Sequence, residues 1–313
     1  LLLFFRKEVL ASLTRILIIR LGALGDFVLS FGPFAAIRAH HPDAEITLLT
    51  TAPYAALAQG CPWFDRVVID PRPRWWQLGR LLHLTHALHG FDFVYDLQTS
   101  GRSSRYFLLA GRPPWSGIAP GCSHPQTGPA RARMHTIERQ RDQLRLAGIH
   151  DFPRPDLGWL MRGALPDLPE RFAMLVPGAA PTRPAKRWPV AHFAQLAAIL
   201  ARRGLPPVIV GSSAEAELAG LIVAACPTAM DLTGATSLPD LFTLAARASL
   251  AVGNDTGPMH IAAAVGCPSV VLFSADSDPD MTAPRSLDGG WPVILRETDL
   301  ADLSVERVAA ALP

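Results

Sequence analysis

Residues Arg15 to Ser30 read RILIIRLGALGDFVLS. A run of branched apolar residues stops at Arg20, the chain passes two glycines, Gly22 and Gly25, and a single carboxylate, Asp26, opens the next apolar segment. A short, unbroken apolar run bounded by turn residues is the pattern of a strand buried on both faces. The segment after it reads as the first strand-to-helix turn of an α/β domain. The glycines let the backbone turn tightly and approach a ligand closely. Ala23 and Leu24 separate them, so the turn is not a G-x-G-x-x-G fingerprint, and no G-K-[ST] ending marks a phosphate loop. An acid at a helix start also repels a phosphate that would use the free amides. Two readings of Asp26 stand side by side: a helix N-cap, which aspartate fills well, and a general base.

Outward from that turn, branched runs alternate with helical patterns. RILIIR (15–20), AEITLLT (44–50), DRVVID (65–70) and DFVYDLQ (92–98) are expected strands, with helices over 27–40, 74–89, 102–110 and 135–148. The stretch IAPGCSHPQTGPA (118–130) is expected to be loop. Residues 149–170 hold Pro153, Pro155, Pro166 and Pro169, a linker composition. The pattern then restarts with strands at 171–178, 206–211, 249–253 and 268–273. An amphipathic helix at 190–204 carries Phe193, Leu196, Ala197 and Leu200 on one face. The expectation is an α/β protein of two doubly wound, Rossmann-like domains, residues 1–165 and 166–313, facing a cleft. Ligands of such folds sit at the carboxyl ends of the strands.

The chain of 313 residues is 49% hydrophobic and 18% charged, which excludes disorder. No stretch approaches the ~18–20 apolar residues of a membrane-spanning helix. The opening LLLFFRK has its charge after a short apolar run, unlike a signal peptide; it reads as a frayed terminus or as a contact with a membrane surface. Cys61, Cys122, Cys226 and Cys267 form no C-x-x-C pair, and three of the four precede proline. That suits packing residues in a reducing cytoplasm. Residues 1–165 carry 19 Lys and Arg against 12 Asp and Glu, a balance of +7, whereas residues 166–313 carry 10 against 15, or −5. The front half is therefore the expected host of an anionic partner. Only Lys7 and Lys186 are lysine, and an interior lysine in an arginine-using chain suggests a site suited to a compact ammonium.

Two segments of the second half carry further chemistry. In GAAPTRPAKRWP (178–189), Gly178, Thr182 and Lys186 offer a close backbone, a hydroxyl and an ammonium to phosphate oxygens; the alternative is a solvated basic loop. In VGNDTGPMHIAAAVG (252–266), a strand ends at Asn254-Asp255, Thr256-Gly257 turn, and a helix starts near Pro258. Its free amides favour a phosphate, with His260 in the first turn; alternatively Asp255 is an N-cap and His260 an ordinary helix residue. Asp276, Asp278 and Asp280 look like a metal motif but read better as a solvated loop. His83, His86 and His89 look like a metal cluster, yet the first and third lie about 120° apart around a helix, so they are expected at the surface.

Taken in order, RILIIRLGALGDFV, YDLQ (95–98), AKRWP (185–189), GSSAEAE (211–217) and NDTGPMH (254–260) resemble glycosyltransferase family 9, the heptosyltransferases of lipopolysaccharide core assembly. The resemblance implies a GT-B-type fold and an inverting, metal-free transfer from a nucleotide sugar, ADP-heptose, with no further cofactor. It implies a cytoplasmic enzyme, free or peripheral on the inner membrane, acting on an anionic lipopolysaccharide-core acceptor and not on nucleic acid. The first domain would bind the acceptor and carry the base, and the second would bind the donor. Asp26 matches the catalytic base. Gly178, Thr182, Lys186, Glu215, Asp255, Thr256, Gly257 and His260 match the donor site, Glu215 as the acid that holds the ribose hydroxyls. Gly25, Gln98, Arg102 and Arg105 are the acceptor-side candidates. Two departures stand out: Gly22-Ala23 replaces the family's frequent serines beside the base, and residues 111–134 match nothing in the pattern.

Three competitors remain. A nicotinamide-dependent oxidoreductase lacks both its glycine fingerprint and an acid in TLLTTAP (47–53) after the second strand. A family member with another donor sugar or acceptor differs only in pocket shape. A catalytically idle binding relative is disfavoured by the intact Asp26 and Lys186.

Overall fold

The structure is a computed structural model that describes residues 14–74 and 76–313; the apolar opening Leu1–Lys7 lies outside the described residues. The chain divides at Pro155–Asp156 into two compact units. The expected boundary lay ten residues later, at 165. Leu157 and Leu160 explain the difference, since both are buried and the Gly163 amide donates to Thr243 Oγ1 at 2.9 Å, which ties the segment to the second unit.

In the first unit six strands run parallel: β1 (Arg15–Ile19), β2 (Glu45–Thr50), β3 (Arg66–Ile69), β4 (Phe93–Asp96), β5 (Trp115–Gly117) and β6 (His124–Pro125), in the order β3-β2-β1-β4-β5-β6. Between them lie α1 (Leu24–Leu29), α2 (Phe31–His40), α3 (Ala52–Gln59), α4 (Leu78–Ala87) and α5 (Gly101–Leu109), and α6 (Thr136–Leu146) follows β6. Successive side chains of β1 point to opposite faces. Leu17 and Ile19 join Leu84, Leu88, Tyr106, Phe107 and Trp115 in one core layer. The aromatic ring of Phe27 packs on Phe31, Phe34 and Tyr54, 5.5 to 6.1 Å between centroids.

The second unit repeats the plan with β7 (Ala173–Val176), β8 (Pro207–Ile209), β9 (Met230–Asp231), β10 (Leu250–Asn254), β11 (Ser269–Phe273) and β12 (Val293–Arg296), in the order β12-β11-β10-β7-β8-β9. Its helices are α7 (Val190–Arg202), α8 (Ala216–Ala225), α9 (Leu238–Arg247), α10 (Gly257–Ala264), the short α11 (Pro279–Thr282) and α12 (Val305–Ala310). Phe193, Leu196, Ala197 and Leu200 of α7 are buried, as their spacing predicts. All four cysteines are free and buried, and burial pushes the thiols of Cys61 and Cys267 up to about 12, so both are inert packing groups.

Each sheet starts a second series of strands beside its first strand, so each has a switch point: β1 beside β4 in the first unit and β7 beside β10 in the second. Departures from expectation are local, and they include the unexpected short strands β9 and β12. The helix expected over 27–40 breaks at Ser30, whose hydroxyl donates to the Asp26 carbonyl at 2.8 Å. The proline-rich 111–134 region, read as loop over 118–130, contributes the short strand β5 and the edge strand β6.

At the second switch point Gly253 sits where a Cβ would lie 2.6 Å from Val176 Cβ and 2.8 Å from Met259 Sδ. Gly253→Ala is therefore expected to lower stability by about 1–3 kcal/mol through overpacking, read as a lower urea midpoint at an unchanged slope; an unchanged midpoint would mean that the β7–β10 packing gives way freely.

Candidate active site

At the first unit's switch point a buried guanidinium does the organising. Arg20 follows β1 and is 4% exposed. Its Nη1 donates to the Leu97 carbonyl beyond β4. Nε and Nη2 donate to the Asp26 carbonyl at 3.2 and 2.9 Å, and Nη2 lies 3.1 Å from Asp26 Oδ1. Burial pulls the Arg20 pKa down, and Asp26 is the first of the charges that oppose this. Ala23, not Asp26, occupies the N-cap position of α1. The carboxylate is thus not a helix cap. Its side chain is 41% exposed, and Oδ2 has no hydrogen-bond partner among the described residues. One oxygen is anchored and the other faces outward, the arrangement of a group that receives a proton from a ligand.

The surrounding turns are fixed just as firmly. Gly22 has φ +118°, and a Cβ there would lie 2.5 Å from the Tyr54 ring, so only glycine fits. Gln98 is turned inward, its Oε1 accepting from the Leu21 amide at 2.8 Å. Thr51 Oγ1 donates to the Leu21 carbonyl at 2.9 Å. Gly25 is buried on α1 beside Asp26. Asp96, fully buried at the end of β4, accepts from the amides of Gln98 and Thr99 at 3.1 and 3.0 Å through Oδ1, and this holds Thr99 at φ +43°. Arg131 Nη2 donates to Thr99 Oγ1 at 2.7 Å, so the unplaced 111–134 region delivers a cation to the rim of this site. Arg102 and Arg105 stand on the exposed side of α5, Arg102 reaching Tyr106 Oη at 3.5 Å; neither contacts the Asp26 cluster.

In the second unit the side chain of Asn254, at the end of β10, organises the corresponding point. It donates to the carbonyls of Pro177 and Gly178 at 2.8 and 3.3 Å and accepts from the Trp188 amide at 3.0 Å. The loop after β7 is thereby clamped against β10. This brings Lys186 Nζ to 2.5 Å from Asp255 Oδ2, which also accepts from Ser277 Oγ at 2.8 Å. His260 Nε2 lies 4.0 Å from Asp255 Oδ1. Thr256, not Asp255, holds the N-cap position of α10, and Gly257 is its first residue. Glu215 lies beside Gly178. Its Oε2 accepts from the amide and hydroxyl of Ser212 at 2.7 and 2.6 Å, and a Cβ on Gly178 would lie 2.7 Å from its Cγ. Thr182 stays exposed in the loop, apart from the cluster's hydrogen bonds. Ser277 belongs to the acidic loop read as purely solvated. Asp276, Asp278 and Asp280 line that loop, but it is the serine hydroxyl that reaches the site. Among the described residues no three His, Cys, Asp or Glu are grouped to hold a metal ion, and His83, His86 and His89 lie on and just after α4.

Asp96 makes the site pH-sensitive. Burial, opposed first by the Thr99 amide, raises its pKa from 3.8 to about 6. The unfolded chain loses this proton near pH ~4, so the folded state binds more protons between about pH 4 and 6. The associated stability is full below that window and is lost as pH rises through about 6, by about 3 kcal/mol at most. Asp96→Asn should remove this slope: urea midpoints taken from about pH 4 to about pH 7 should fall less in the variant than in the parent chain, and parallel curves would show that Asp96 ionises normally.

A sequence profile of glycosyltransferase family 9 (heptosyltransferase) matches residues 81–288. Lipopolysaccharide heptosyltransferase 2 of Escherichia coli strain K12 is 28% identical over 303 residues, covering 87% of this chain and 86% of its own. Lipopolysaccharide heptosyltransferase 1 of Pseudomonas aeruginosa is 27% identical over 281 residues, covering 83% and 78%. Among solved structures, E. coli ADP-heptose lipopolysaccharide heptosyltransferase II superposes with a TM-score of 0.75 at 24% identity over 95% of this chain and 97% of that one. The E. coli heptosyltransferase WaaC with ADP gives 0.76 at 20% identity over 95% and 98%. The two Rossmann-like units are those of the GT-B-type fold. With a family profile running from α4 to beyond α11, across the whole of the Lys186–Asp255 cluster, the chain belongs to glycosyltransferase family 9 and is a sugar-transferring enzyme.

Proposed function

We propose that this chain moves a heptose from ADP-heptose to a hydroxyl of the lipopolysaccharide inner core, with inversion at the anomeric carbon and without a metal ion. The observation that carries this reading is the Asp26 carboxylate, anchored on one oxygen by buried Arg20 and exposed on the other. Relatives named as lipopolysaccharide heptosyltransferases, aligned over most of their length, supply the substrate class.

On this reading the first unit supplies base and acceptor site and the second holds the donor. Asp26 takes the proton from the acceptor hydroxyl as that oxygen attacks the anomeric carbon, and the bond to the diphosphate breaks on the opposite face. General-base assistance of this kind contributes roughly 10²–10⁴ in rate. The departing ADP gains negative charge. Lys186, Thr182 and the amides at the start of α10, with Gly257 next to the N-cap Thr256, stabilise it, a role a divalent cation would otherwise take. Lys186 meets the donor already paired with Asp255, so the diphosphate competes with a carboxylate for the ammonium. His260 and Ser277 then share the charge left on Asp255. Glu215, held by Ser212 beside Gly178, receives the ribose hydroxyls. Gly25 and Gln98 shape the acceptor side of the base, and exposed Arg102 and Arg105 grip the anionic core. The acceptor is a lipid-linked sugar, so the enzyme works at the cytoplasmic face of the inner membrane; no helix of the described residues is long and apolar enough to cross it.

Transfer from ADP-heptose to a deacylated core acceptor should proceed in EDTA, and Asp26→Asn should lower kcat by about 10² or more. Equal rates in both proteins would remove Asp26 from the chemistry, and an EDTA-sensitive rate would remove the metal-free mechanism. Lys186→Gln should raise the donor KM and lower kcat, by about tenfold or more in kcat/KM. Arg102→Ala with Arg105→Ala should raise the acceptor KM alone; an unchanged acceptor KM would take both arginines out of the acceptor site.

A further inference from the structure

The chain has three tyrosines, and two of their hydroxyls are committed inside the first unit. Tyr95 is buried, with Oη 2.9 Å from His41 Nε2. Tyr106 is buried and donates to Asp70 Oδ2 at 2.7 Å. Tyr54, in the first turn of α3, differs from both. It is half-buried, and its Oη makes no hydrogen bond among the described residues. The ring itself is firmly held. It stacks on the buried Phe27 ring at 5.5 Å with 21° between the planes, and its phenol end covers Gly22. A Cβ on Gly22 would lie 2.5 Å from Tyr54 Cε2 and 3.1 Å from both Cζ and Oη. A tyrosine at such a place buries an apolar body and presents a polar tip.

That tip stands beside the base. Arg72, Asp26 and Arg20 all act electrostatically on the phenol. Burial raises its pKa above the usual 10; Arg72 pulls it down, Asp26 pushes it up and Arg20 pulls it down. The group is therefore a neutral phenol at pH ~7, both donor and acceptor. The turn before Asp26 has little else to offer a ligand, since residues 21–25 are Leu, Gly, Ala, Leu and Gly. Neighbouring hydroxyls are already engaged. Thr51 Oγ1 donates to the Leu21 carbonyl at 2.9 Å. Ser30 Oγ donates to the Asp26 carbonyl at 2.8 Å and accepts from Gln140 Nε2 at 3.0 Å.

We propose that Tyr54 decides which acceptor hydroxyl reaches the base: its Oη hydrogen-bonds a second hydroxyl of the acceptor sugar while Asp26 takes the proton from the first. The inference rests on the reading of Asp26 as the base. A carboxylate alone accepts from any hydroxyl presented to it, whereas two fixed groups that grip two oxygens of one ring set its orientation. A sugar lacking the second hydroxyl would leave the phenol unpaired, which is how a hydrogen-bonding site turns away an analogue.

Tyr54→Phe tests this, because it keeps the ring, the stacking on Phe27 and the cover over Gly22 and removes one oxygen. Transfer from ADP-heptose to the deacylated core acceptor is measured with both proteins, and the same acceptor is titrated calorimetrically onto each with ADP present. The acceptor KM should rise and calorimetric affinity should fall by about tenfold, with kcat and donor KM within about twofold and the melting temperature unchanged. Equal acceptor KM and affinity in the two proteins would overturn the proposal and leave Tyr54 a packing ring. A lower kcat at unchanged acceptor KM would overturn it too, since the phenol would then act on the Asp26 turn and not on the acceptor. If the parent chain binds the acceptor without turnover, the reading of Asp26 fails by itself and calorimetry still decides for Tyr54: weaker binding by the variant supports the contact, equal binding removes it. A parent chain that neither binds nor converts the acceptor would overturn both.

Discussion

The turns at the first unit's switch point depend on a single buried cation. Arg20 is where β1 ends, and its guanidinium satisfies three acceptors at once: the carbonyl of Leu97, the carbonyl of Asp26 and one carboxylate oxygen of Asp26. A guanidinium in such a site is costly to bury, and that cost is offset only when its fork of donors is filled. The acceptors come from both sides of the switch point, so satisfying Arg20 also fixes how the turn after β1 stands against the turn after β4. The direction in which the Asp26 carboxylate points is therefore a by-product of solvating one charge inside the protein.

The second unit solves the same problem with a neutral group. Asn254 occupies the end of β10 and uses both halves of its amide, as donor to Pro177 and Gly178 and as acceptor for Trp188. A carboxamide suits this place because it supplies donors and an acceptor together, and burying it leaves the neighbouring charges free for one another. Lys186, Asp255 and Ser277 then form a compact polar set beside a helix start. The contrast between a charged clamp in one unit and a neutral one in the other reflects the cargo of each: a carboxylate in the first, an ammonium-bearing loop in the second.

The fold was largely legible in the sequence, because strands buried on both faces leave unbroken apolar runs. RILII, EITLLT and SVVLF are of that kind, and each appears as a strand inside its sheet. What escaped were elements too short to leave a pattern: β6 and β9 have two residues each, and Ser30 breaks a helix through a side-chain bond that periodicity does not register. The site divides along the same line. Asp26, Lys186, Glu215, Asp255 and His260 stood out because their segments resemble a family. Their partners did not: Arg20 meets a carbonyl 77 positions away, and Ser277 reaches Asp255 across 22. Distances of that order are set by sheet order, which no local spacing encodes. Arg102 and Arg105 follow the end of β4, as their place in the sequence suggests, and stand on the exposed side of α5.

The two sheets have the same strand order when each is counted from its own first strand, and each unit has its own packed interior. Retuning one half therefore need not disturb the other. Exchanging the loops after β3, β4 and β6 alters what surrounds Asp26 without touching the residues that pack β7 against β10. Substitutions around Gly178 and Glu215 likewise leave the Arg20 clamp intact. Such a chain can change the surroundings of one polar cluster while keeping the other, and a lineage built on this plan is free to diversify its two units one at a time.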